Sequence, residues 1–456
     1  MKNKRFFGLI LMLLCPLFIL GQNVTIVGKT NIPNALVRLL TYDEMLTCHQ
    51  TKAAETQSDK DGKFTLKATI NEITPAQIAI NLERVEIILN PDGKYNVEIV
   101  IPEQKDDESY FEKEQPLLKI NTADDGGLYS QYVLAENLID DFIYDNFQQI
   151  YRGRKIYLMD TIENQIYRQL GKVKYDYVMD MIKYRKAAVV MALNTEKVIT
   201  EYIDNQKVLY SNKAYMDVFV ELFGWYFNKR DYNQADLENA FYSGYDNFMT
   251  YLGKNDFLSR NRQIFELVTM IEMRRLYYEN SYDKTRILSY YKKIGETSKY
   301  QKNKVVANDF IKHLTKLSYD SDAPTFALKD KNGKTVQLSD FQGNMVLLQF
   351  VGRLSSLITN EFLTLNELHK QWGDSVKIVT VVTKESFDNC AQMFDKQGFN
   401  WIILNLDDDI LLLEDYDVQT FPAYFILKRK NKIGMAPAPS PDQYLDYHVR
   451  RISKYL

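Results

Sequence analysis

The sequence predicts a multidomain protein with an N-terminal β-sandwich, an all-α helical middle and a C-terminal α/β fold. Three observations predict this order. Short runs of β-branched and apolar residues fill the first part, proline is absent from a long middle part with helical spacing, and strand-like and helix-like runs alternate at the end. With 456 residues the chain is too long for one ordinary core, so several domains are expected.

Changes in composition divide the chain into five expected segments. These are a signal peptide at 1–22, a β-sandwich at 23–102, a linker at 103–116, a helical domain at 117–320 and an α/β domain at 321–456. The linker is predicted from the strongly charged run EQKDDESYFEKEQ, which lacks the apolar periodicity of its neighbours.

The first residues have the pattern of a secretory signal peptide. The basic start MKNKR precedes an apolar run from Phe6 to Leu20, and the small Gly21 follows. This run is too short for a membrane span, so we expect an exported protein of the periplasm or cell envelope, with no transmembrane helix after signal cleavage. Lipid attachment at Cys15 is not expected, because Leu14 is not the small residue that such attachment needs.

Composition and motif content argue against several functional classes. The net charge is −3, so no basic field attracts nucleic acid, and no nucleic-acid partner is expected. The four histidines are far apart, and neither a Cys-x-x-Cys motif nor a Gly-rich phosphate loop occurs, so no metal site and no cofactor is expected. Cys390 stands at helical spacing from Phe387 and Phe394, which predicts that its small side chain is buried with theirs.

The N-terminal β-sandwich is predicted from short apolar runs with turn signals between them. The turns are DKDGK at 59–63 and NPDGK at 90–94, and we interpret the first as a hairpin, because it lacks the remaining ligands of a calcium loop. The predicted strands are NVTIVGK, ALVRLLTY, KFTLKATI, QIAINLE, VEIILN and YNVEIVI.

The helical middle is predicted from the absence of proline between Pro116 and Pro324, because proline breaks helix interiors. Apolar and aromatic residues recur at helical spacing over this span, which is typical of side chains that form a core. The predicted stripes include Tyr132, Leu138, Phe142, Tyr144, Val178, Met181, Ile182 and Met191.

The last region is predicted to be an α/β unit with a partly parallel sheet. Its strand-like runs are TFALKD, TVQLSD, MVLLQFVG, VKIVTVV, WIILNL and AYFILK. Two helical segments, LITNEFLTLNELHKQW and KESFDNCAQMFDKQ, alternate with them. We interpret the acidic run 407–409 as the negatively charged start of a helix.

Three ordered segments of this region resemble the thioredoxin-like superfamily, in the branch of secreted thiol–disulfide oxidoreductases and their AhpC/TSA peroxiredoxin relatives. DAPTFALKDKNGKTVQLSDFQGNMVLLQF is similar to the entry hairpin and first core strand of that branch. YDVQTFPAYFIL resembles the segment with the cis-proline, at Pro422, and APAPSP at 436–441 resembles a loop after the last hairpin. The order of the three parts also resembles secreted thioredoxin-like proteins of Bacteroidetes-type bacteria.

The resemblance implies a degenerate redox site. In that family a cysteine at a helix N-terminus attacks and a second cysteine three residues later resolves the mixed disulfide. These positions fall on Ser355 and Ile358, and neither Ser356 nor Leu357 between them has sulfur. Serine forms no disulfide and isoleucine has no redox chemistry, so no catalytic residue is expected, and Ser355 is predicted to be the N-cap of the helix.

The same resemblance implies a groove beside the former redox turn, at Phe421 and Pro422. One interpretation is that this groove still binds a peptide by strand addition, without reducing it. The other is that Phe421, Leu354 and Ile358 close over the site as a hydrophobic cluster. We therefore expect a redox-inactive cell-envelope protein that binds or scaffolds a protein or peptide partner.

Two other functions remain open from the sequence. One is a thiol–disulfide oxidoreductase or peroxiredoxin-like enzyme that uses a remaining cysteine, either Cys48 or Cys390. The other is a ligand-binding protein whose site lies on the tyrosine-rich helical middle, since the chain contains 32 tyrosines.

Overall fold

The computed structural model describes most of the chain and contains the three regions in the predicted order. The described residues are 23–102, 115–228, 232–279 and 281–454. The predicted signal peptide and positions 103–114 of the predicted linker lie outside them. Within the described residues, no helix has both the length and the apolar composition needed to cross a membrane.

The N-terminal region consists of two four-stranded sheets. Its strands are β1 Val24–Thr30, β2 Leu36–Tyr42, β3 Gln50–Gln57, β4 Lys63–Ala68, β5 Thr74–Ile80, β6 Glu83–Leu89, β7 Lys94–Val100 and β8 Leu117–Asp124. The strand orders are β4-β1-β7-β8 and β3-β2-β5-β6. Apolar side chains of both sheets, among them Ile26 of β1 and Leu39 of β2, form one buried cluster, as alternating strands with one apolar face require.

Two of these strands differ from the sequence prediction. β8 lies in the segment that was predicted to be helical from residue 117, and it pairs antiparallel with β7 instead, with Leu118 opposite Ile99. The predicted start of the helical domain is therefore wrong for Leu117–Asp124. β3 was not predicted, because most of its side chains are polar and the strand lies at the edge of its sheet.

The middle region is helical from α1 onward. Its helices are α1 Leu128–Phe147, α2 Leu158–Leu170, α3 Asp176–Met191, α4 Thr195–Val198, α5 Lys213–Phe223, α6 Gln234–Tyr242, α7 Tyr245–Leu252, α8 Asp256–Arg260, α9 Arg262–Tyr277, α10 Lys284–Thr297 and α11 Gln301–Thr315. Val178, Met181, Ile182 and Met191 are buried as predicted, whereas Tyr144 is 84% exposed and is not a core residue. Tyr132, Leu138 and Phe142 are partly buried.

The C-terminal region has a seven-stranded sheet with helices on its faces. Its strands are β9 Ala327–Asp330, β10 Thr335–Gln337, β11 Met345–Val351, β12 Val376–Val382, β13 Ile402–Asn405, β14 Ala423–Lys428 and β15 Lys432–Ala438, and its helices are α12 Ser356–Trp372, α13 Lys384–Gln397, α14 Ile410–Asp415 and α15 Leu445–Ser453. The strand order is β10-β9-β13-β12-β11-β14-β15. β11 is parallel to β12 and antiparallel to β14, and every residue of β11 is buried, as expected for a strand covered on both faces.

Short 3-10 or π-helical turns connect several of these elements. They are Gln148–Arg152, Ile199–Ile203, Tyr226–Asn228, Leu338–Phe341, Gly373–Ser375 and Arg429–Asn431.

The N-terminal and C-terminal regions touch through the face of β2 and helix α14. Leu40 of β2 packs against Ile410 of α14. The buried Arg38 donates hydrogen bonds to the carbonyl oxygen of Asp408, at 3.1 Å, and to a carboxylate oxygen of Asp409, at 3.2 Å. The acidic run that precedes α14 is therefore part of an interface, beyond the helix-start role predicted for it.

Candidate functional site

The turn that follows β11 ends in a capped helix. The Ser355 hydroxyl oxygen accepts a hydrogen bond from the backbone N–H of Ile358 at 3.3 Å, and the backbone of Ser355 is extended, as an N-cap residue requires. The prediction that Ser355 is the N-cap is confirmed. Ser355 is exposed, so the turn itself is open to solvent.

Ile358 occupies the core where the resemblance places a resolving thiol. It is 3% exposed and lies in the same apolar cluster as Phe362 and Val351, with Leu354 packed against that cluster. An aliphatic side chain in such a site contributes packing, and it can neither form nor break a disulfide.

The peptide bond between Phe421 and Pro422 is cis, as predicted from the resemblance. The Phe421 ring lies over Gly352, where an added Cβ atom would be 2.8 Å from Cδ2 of the ring, so a larger residue at this position would displace the ring. Phe421 remains 41% exposed. Of the three residues that could close over the site, Leu354 and Ile358 join the core cluster, whereas Phe421 stays at the surface.

A large cleft lies beside this cis-proline. Its volume is about 1250 Å³. One wall comes from the helical region, with Tyr277, Tyr278 and Lys284, and the other comes from Pro422, the preceding Phe421 and the outer strand β15. Ser355 does not line the cleft, whereas Phe421, which does, packs over Gly352 of the same turn.

Glu361 of α12 lies in this cleft at the end of a chain of hydrogen bonds. The Tyr424 hydroxyl donates to a carboxylate oxygen of Glu361 at 2.5 Å, and the Gln349 amide donates to the Tyr424 hydroxyl at 3.0 Å. Thr380 donates to the Gln349 carbonyl oxygen at 3.1 Å, and the Trp401 indole N–H donates to Thr380 at 3.0 Å. The chain thus runs from the buried sheet to a carboxylate in the cleft.

The electrostatic environment of Glu361 is acidic and partly dry. Burial raises the pKa of Glu361, the hydrogen bond from Tyr424 opposes this, and the nearby Asp442 raises the pKa further. Burial is also the main cause of the raised pKa of Tyr424, which keeps the phenol protonated and able to donate.

The position of this carboxylate could not be predicted from the sequence. Glu361 stands in an amphipathic helix, where a glutamate normally points into solvent. The available signal was Gln349 in the run VLLQF, because a polar side chain in a strand covered on both faces needs a hydrogen-bond partner.

Both cysteines outside the first 22 residues have unreactive environments. Cys390 is fully buried in α13, and burial raises the pKa of its thiol to about 11. Cys48 reaches the surface, but its thiol is partly buried and donates a hydrogen bond to the carbonyl oxygen of Met45 at 3.2 Å; this partial burial and the Glu44 carboxylate raise the pKa of the thiol. A reactive thiol needs the opposite shift, and neither cysteine lines the cleft.

No group of three or more histidine, cysteine, aspartate or glutamate side chains in the described ranges is arranged to hold a metal ion. The groups that line the cleft include the Glu361 and Asp417 carboxylates, tyrosine hydroxyls, the ring of Phe421, His313 and two lysines, Lys284 and Lys316.

Comparison with known proteins places the C-terminal region among thiol–disulfide oxidoreductase relatives. Residues 320–436 match the AhpC/TSA family. The thiol-disulfide oxidoreductase ResA of Bacillus subtilis is 34% identical over 118 residues, which are 26% of this chain and 65% of that protein. The peroxiredoxin Bcp of the same organism is 27% identical over 97 residues, 21% of this chain and 61% of that protein.

Solved structures match the same region. The thioredoxin domain of a thiol-disulfide oxidoreductase from Bacteroides vulgatus is 24% identical, with a TM-score of 0.28, and the match covers 30% of this chain and 99% of that domain. A thiol:disulfide interchange protein from a Bacteroides species is 25% identical, with a TM-score of 0.27, and covers 30% of this chain and 91% of its own. With the family match and the sequence relatives, the C-terminal region is a thioredoxin-like domain.

Proposed function

We propose that this chain is an exported cell-envelope protein whose thioredoxin-like domain has lost redox chemistry and binds an extended peptide or protein segment. The observation that carries the proposal is the pairing of two features. Ser355 and Ile358 stand where the sulfur atoms would be, while a cleft of about 1250 Å³ remains beside Pro422. A domain that lacks the redox cysteines but keeps the cleft is suited to binding and not to thiol–disulfide exchange.

The size of the cleft supports a polypeptide ligand. Small-molecule sites usually enclose about 300–1,000 Å³, and this cleft exceeds that range. The outer strand β15 forms part of its wall, and an extended segment can lie along such a strand. The helical region supplies the opposite wall through Tyr277 and Tyr278, so the tyrosine-rich middle takes part in the same site.

An oxidoreductase is the second candidate, and the name of the relative from Bacillus subtilis favours it. Such an activity would have to use Cys48 or Cys390, whose pKa values are both raised. We therefore favour the binding function over an oxidoreductase activity.

A reductase assay separates the two candidates. The chain from residue 23 onward should reduce insulin disulfides no faster than the background rate with dithiothreitol, whereas the variant with Ser355→Cys and Ile358→Cys should exceed that rate. Reductase activity of the unaltered chain that disappears in Cys48→Ser or Cys390→Ser would overturn the proposal.

A binding assay tests the positive half of the proposal. Displayed libraries of extended peptides should be captured by the unaltered chain and by Leu357→Ala, which changes an exposed residue outside the cleft. Capture should fall in Phe421→Ala, which removes a cleft wall. A folded chain that captures no peptide contradicts a binding role for the cleft.

Three further features belong to the same proposal. The two N-terminal sheets would form a β-sandwich domain, the domain boundaries would follow the predicted segments with β8 added to the first, and export would depend on the predicted signal peptide at 1–22. Deletion of that segment should leave the protein in the cytoplasm.

A further inference from the structure

The hydrogen-bond chain that ends at Glu361 has a fixed direction. At one end, the Trp401 indole can only donate, and at the other end an ionised carboxylate can only accept. The intermediate groups must therefore each accept from the Trp401 side and donate toward Glu361, and the observed donor order agrees with this. Bonds aligned in this way polarise one another, so the chain stabilises negative charge on Glu361.

This support satisfies only part of the carboxylate. Tyr424 donates to Oε2 of Glu361, and no described residue donates a hydrogen bond to Oε1. The charged neighbour that acts on Glu361 is Asp442, which is also negative, and none of the described lysines or arginines forms an ion pair with it. A partly buried carboxylate without a cation carries a desolvation cost that a bound cation would offset.

The cleft that Glu361 lines also has apolar surface that suits the stem of a long cationic side chain. The same cleft presents Phe421, Met435 and Leu288, which can pack against methylene groups. A lysine or arginine side chain of a peptide has such a stem and a charged head. With no three-residue ligand group available among the described residues, a bare metal ion is not favoured.

We infer that the cleft selects peptides with a lysine or arginine, whose charged head pairs with Glu361. This inference rests on the proposed peptide-binding function and adds its specificity. The helix α12 positions the carboxylate, and the chain through Tyr424 and Gln349 holds its orientation.

The test compares three otherwise identical extended peptides that carry lysine, norleucine or glutamate at one position. Fluorescence polarisation with the chain from residue 23 onward should give the tightest binding for lysine, by about tenfold over norleucine, which corresponds to about 1.4 kcal/mol. Glu361→Gln keeps the size of the side chain and an acceptor for Tyr424. It should abolish the tenfold preference for the lysine peptide over the norleucine peptide.

Glu367→Gln is the matched control, because Glu367 lies on the same helix, is exposed and pairs with Lys370. It should retain the preference for lysine. If peptides bind the unaltered chain without this preference, or if the preference survives in Glu361→Gln, the specificity inference is wrong and the binding function stands. If a folded chain binds none of the displayed or designed peptides, both are wrong.

Discussion

Ser355 illustrates how one residue can serve structure after its chemistry has gone. Its hydroxyl oxygen satisfies the N–H of Ile358, and its carbonyl oxygen accepts from the Thr359 hydroxyl at 2.9 Å. The free N–H groups of a helix start are costly when they lack partners, and serine is among the better caps. The residue thus stabilises α12, the helix that carries Glu361.

We expect Ser355→Ala to lower the free energy of unfolding by about 1 kcal/mol, because the N–H of Ile358 loses its acceptor. Ser355→Asp should retain most of the stability, since aspartate also caps well. Chemical denaturation of the three proteins measures the difference. An alanine variant as stable as the unaltered protein would mean that the cap contributes nothing.

At the scale of single residues, the sequence predicted roles that depend on neighbouring positions in the chain. It did not predict roles that depend on residues far away in the chain. Ser355 followed from its place before a helix, and Pro422 followed from the resemblance. Glu361 was missed because its importance depends on Tyr424, which is 63 positions away in the chain. Tyr144 was wrongly expected in the core, because helical spacing does not say which side of a helix faces the protein.

At the scale of elements, the contact between β2 and α14 joins two regions through one buried cation. The Arg38 side chain is 8% exposed and also pairs with Glu55 at 2.7 Å. Its three partners belong to two regions, so Arg38 fixes how the N-terminal sheet meets the helix that precedes β14.

Arg38→Met should lower the free energy of unfolding by about 1–2 kcal/mol, since hydrogen bonds to charged groups contribute on that order. The loss should stay below the roughly 3–5 kcal/mol that removal of one partner costs in a fully buried ion pair, because the Glu55 and Asp409 carboxylates remain partly exposed to water. Denaturation and hydrogen exchange of the α14 amides give the two readouts.

Lys52→Met is the control for Arg38. Lys52 pairs with the same Glu55 but is exposed, so its loss should change stability by no more than about 0.5 kcal/mol. Equal effects of the two substitutions would contradict a special role for the buried arginine.

The prediction of elements followed the hydrophobic pattern closely. Buried strands such as β11 and β12 were found because both faces are apolar. β3 and β8 were missed because edge strands expose alternate residues, and their pattern then contains too few apolar positions.

At the scale of the whole molecule, the three regions meet around a cavity of about 480 Å³ that is lined by several charged side chains. His313 of α11 lies there, and its buried Nδ1 has no hydrogen-bond partner among the described residues. Burial lowers the pKa of His313, Lys316, Arg274 and His49 lower it further, and Asp417 opposes them. The other charged groups that line the cavity are Asp43, Asp309, Lys312, Asp322 and Asp415.

A folded-state pKa below the ordinary value means that the unfolded chain binds the proton more readily. The contribution of His313 to stability is therefore complete above about pH 6.5 and is lost as the pH falls below that value. Burial raises the pKa values of Asp309 and Asp415, so the folded state binds their protons more readily than the unfolded state. These two groups therefore add stability as the pH falls, at pH values nearer the ordinary pKa of aspartate.

We expect the free energy of unfolding to fall more steeply between pH 7 and pH 5 in the unaltered protein than in His313→Gln. Guanidinium denaturation at several pH values measures both slopes. Identical slopes would show that His313 does not contribute to the pH dependence.

The order of the three regions could be predicted from the sequence, whereas their contacts could not. Arg38 and Asp408 are 370 positions apart, and no periodicity or turn signal links such residues. The cavity at the junction and the cleft beside Pro422 both depend on contacts of this kind.

The outer strand β15 has a consequence for self-association. Asp322 forms an isolated antiparallel β-bridge with Lys432, the first residue of β15. The rest of the strand contains Pro437, and Pro439 follows directly after it. Proline has no N–H to offer a neighbouring strand, so copies of this protein cannot extend the sheet far through this edge. A bound extended segment meets the same limit: it can pair with β15 only between that bridge and Pro437, and elsewhere it must contact the side chains that line the cleft.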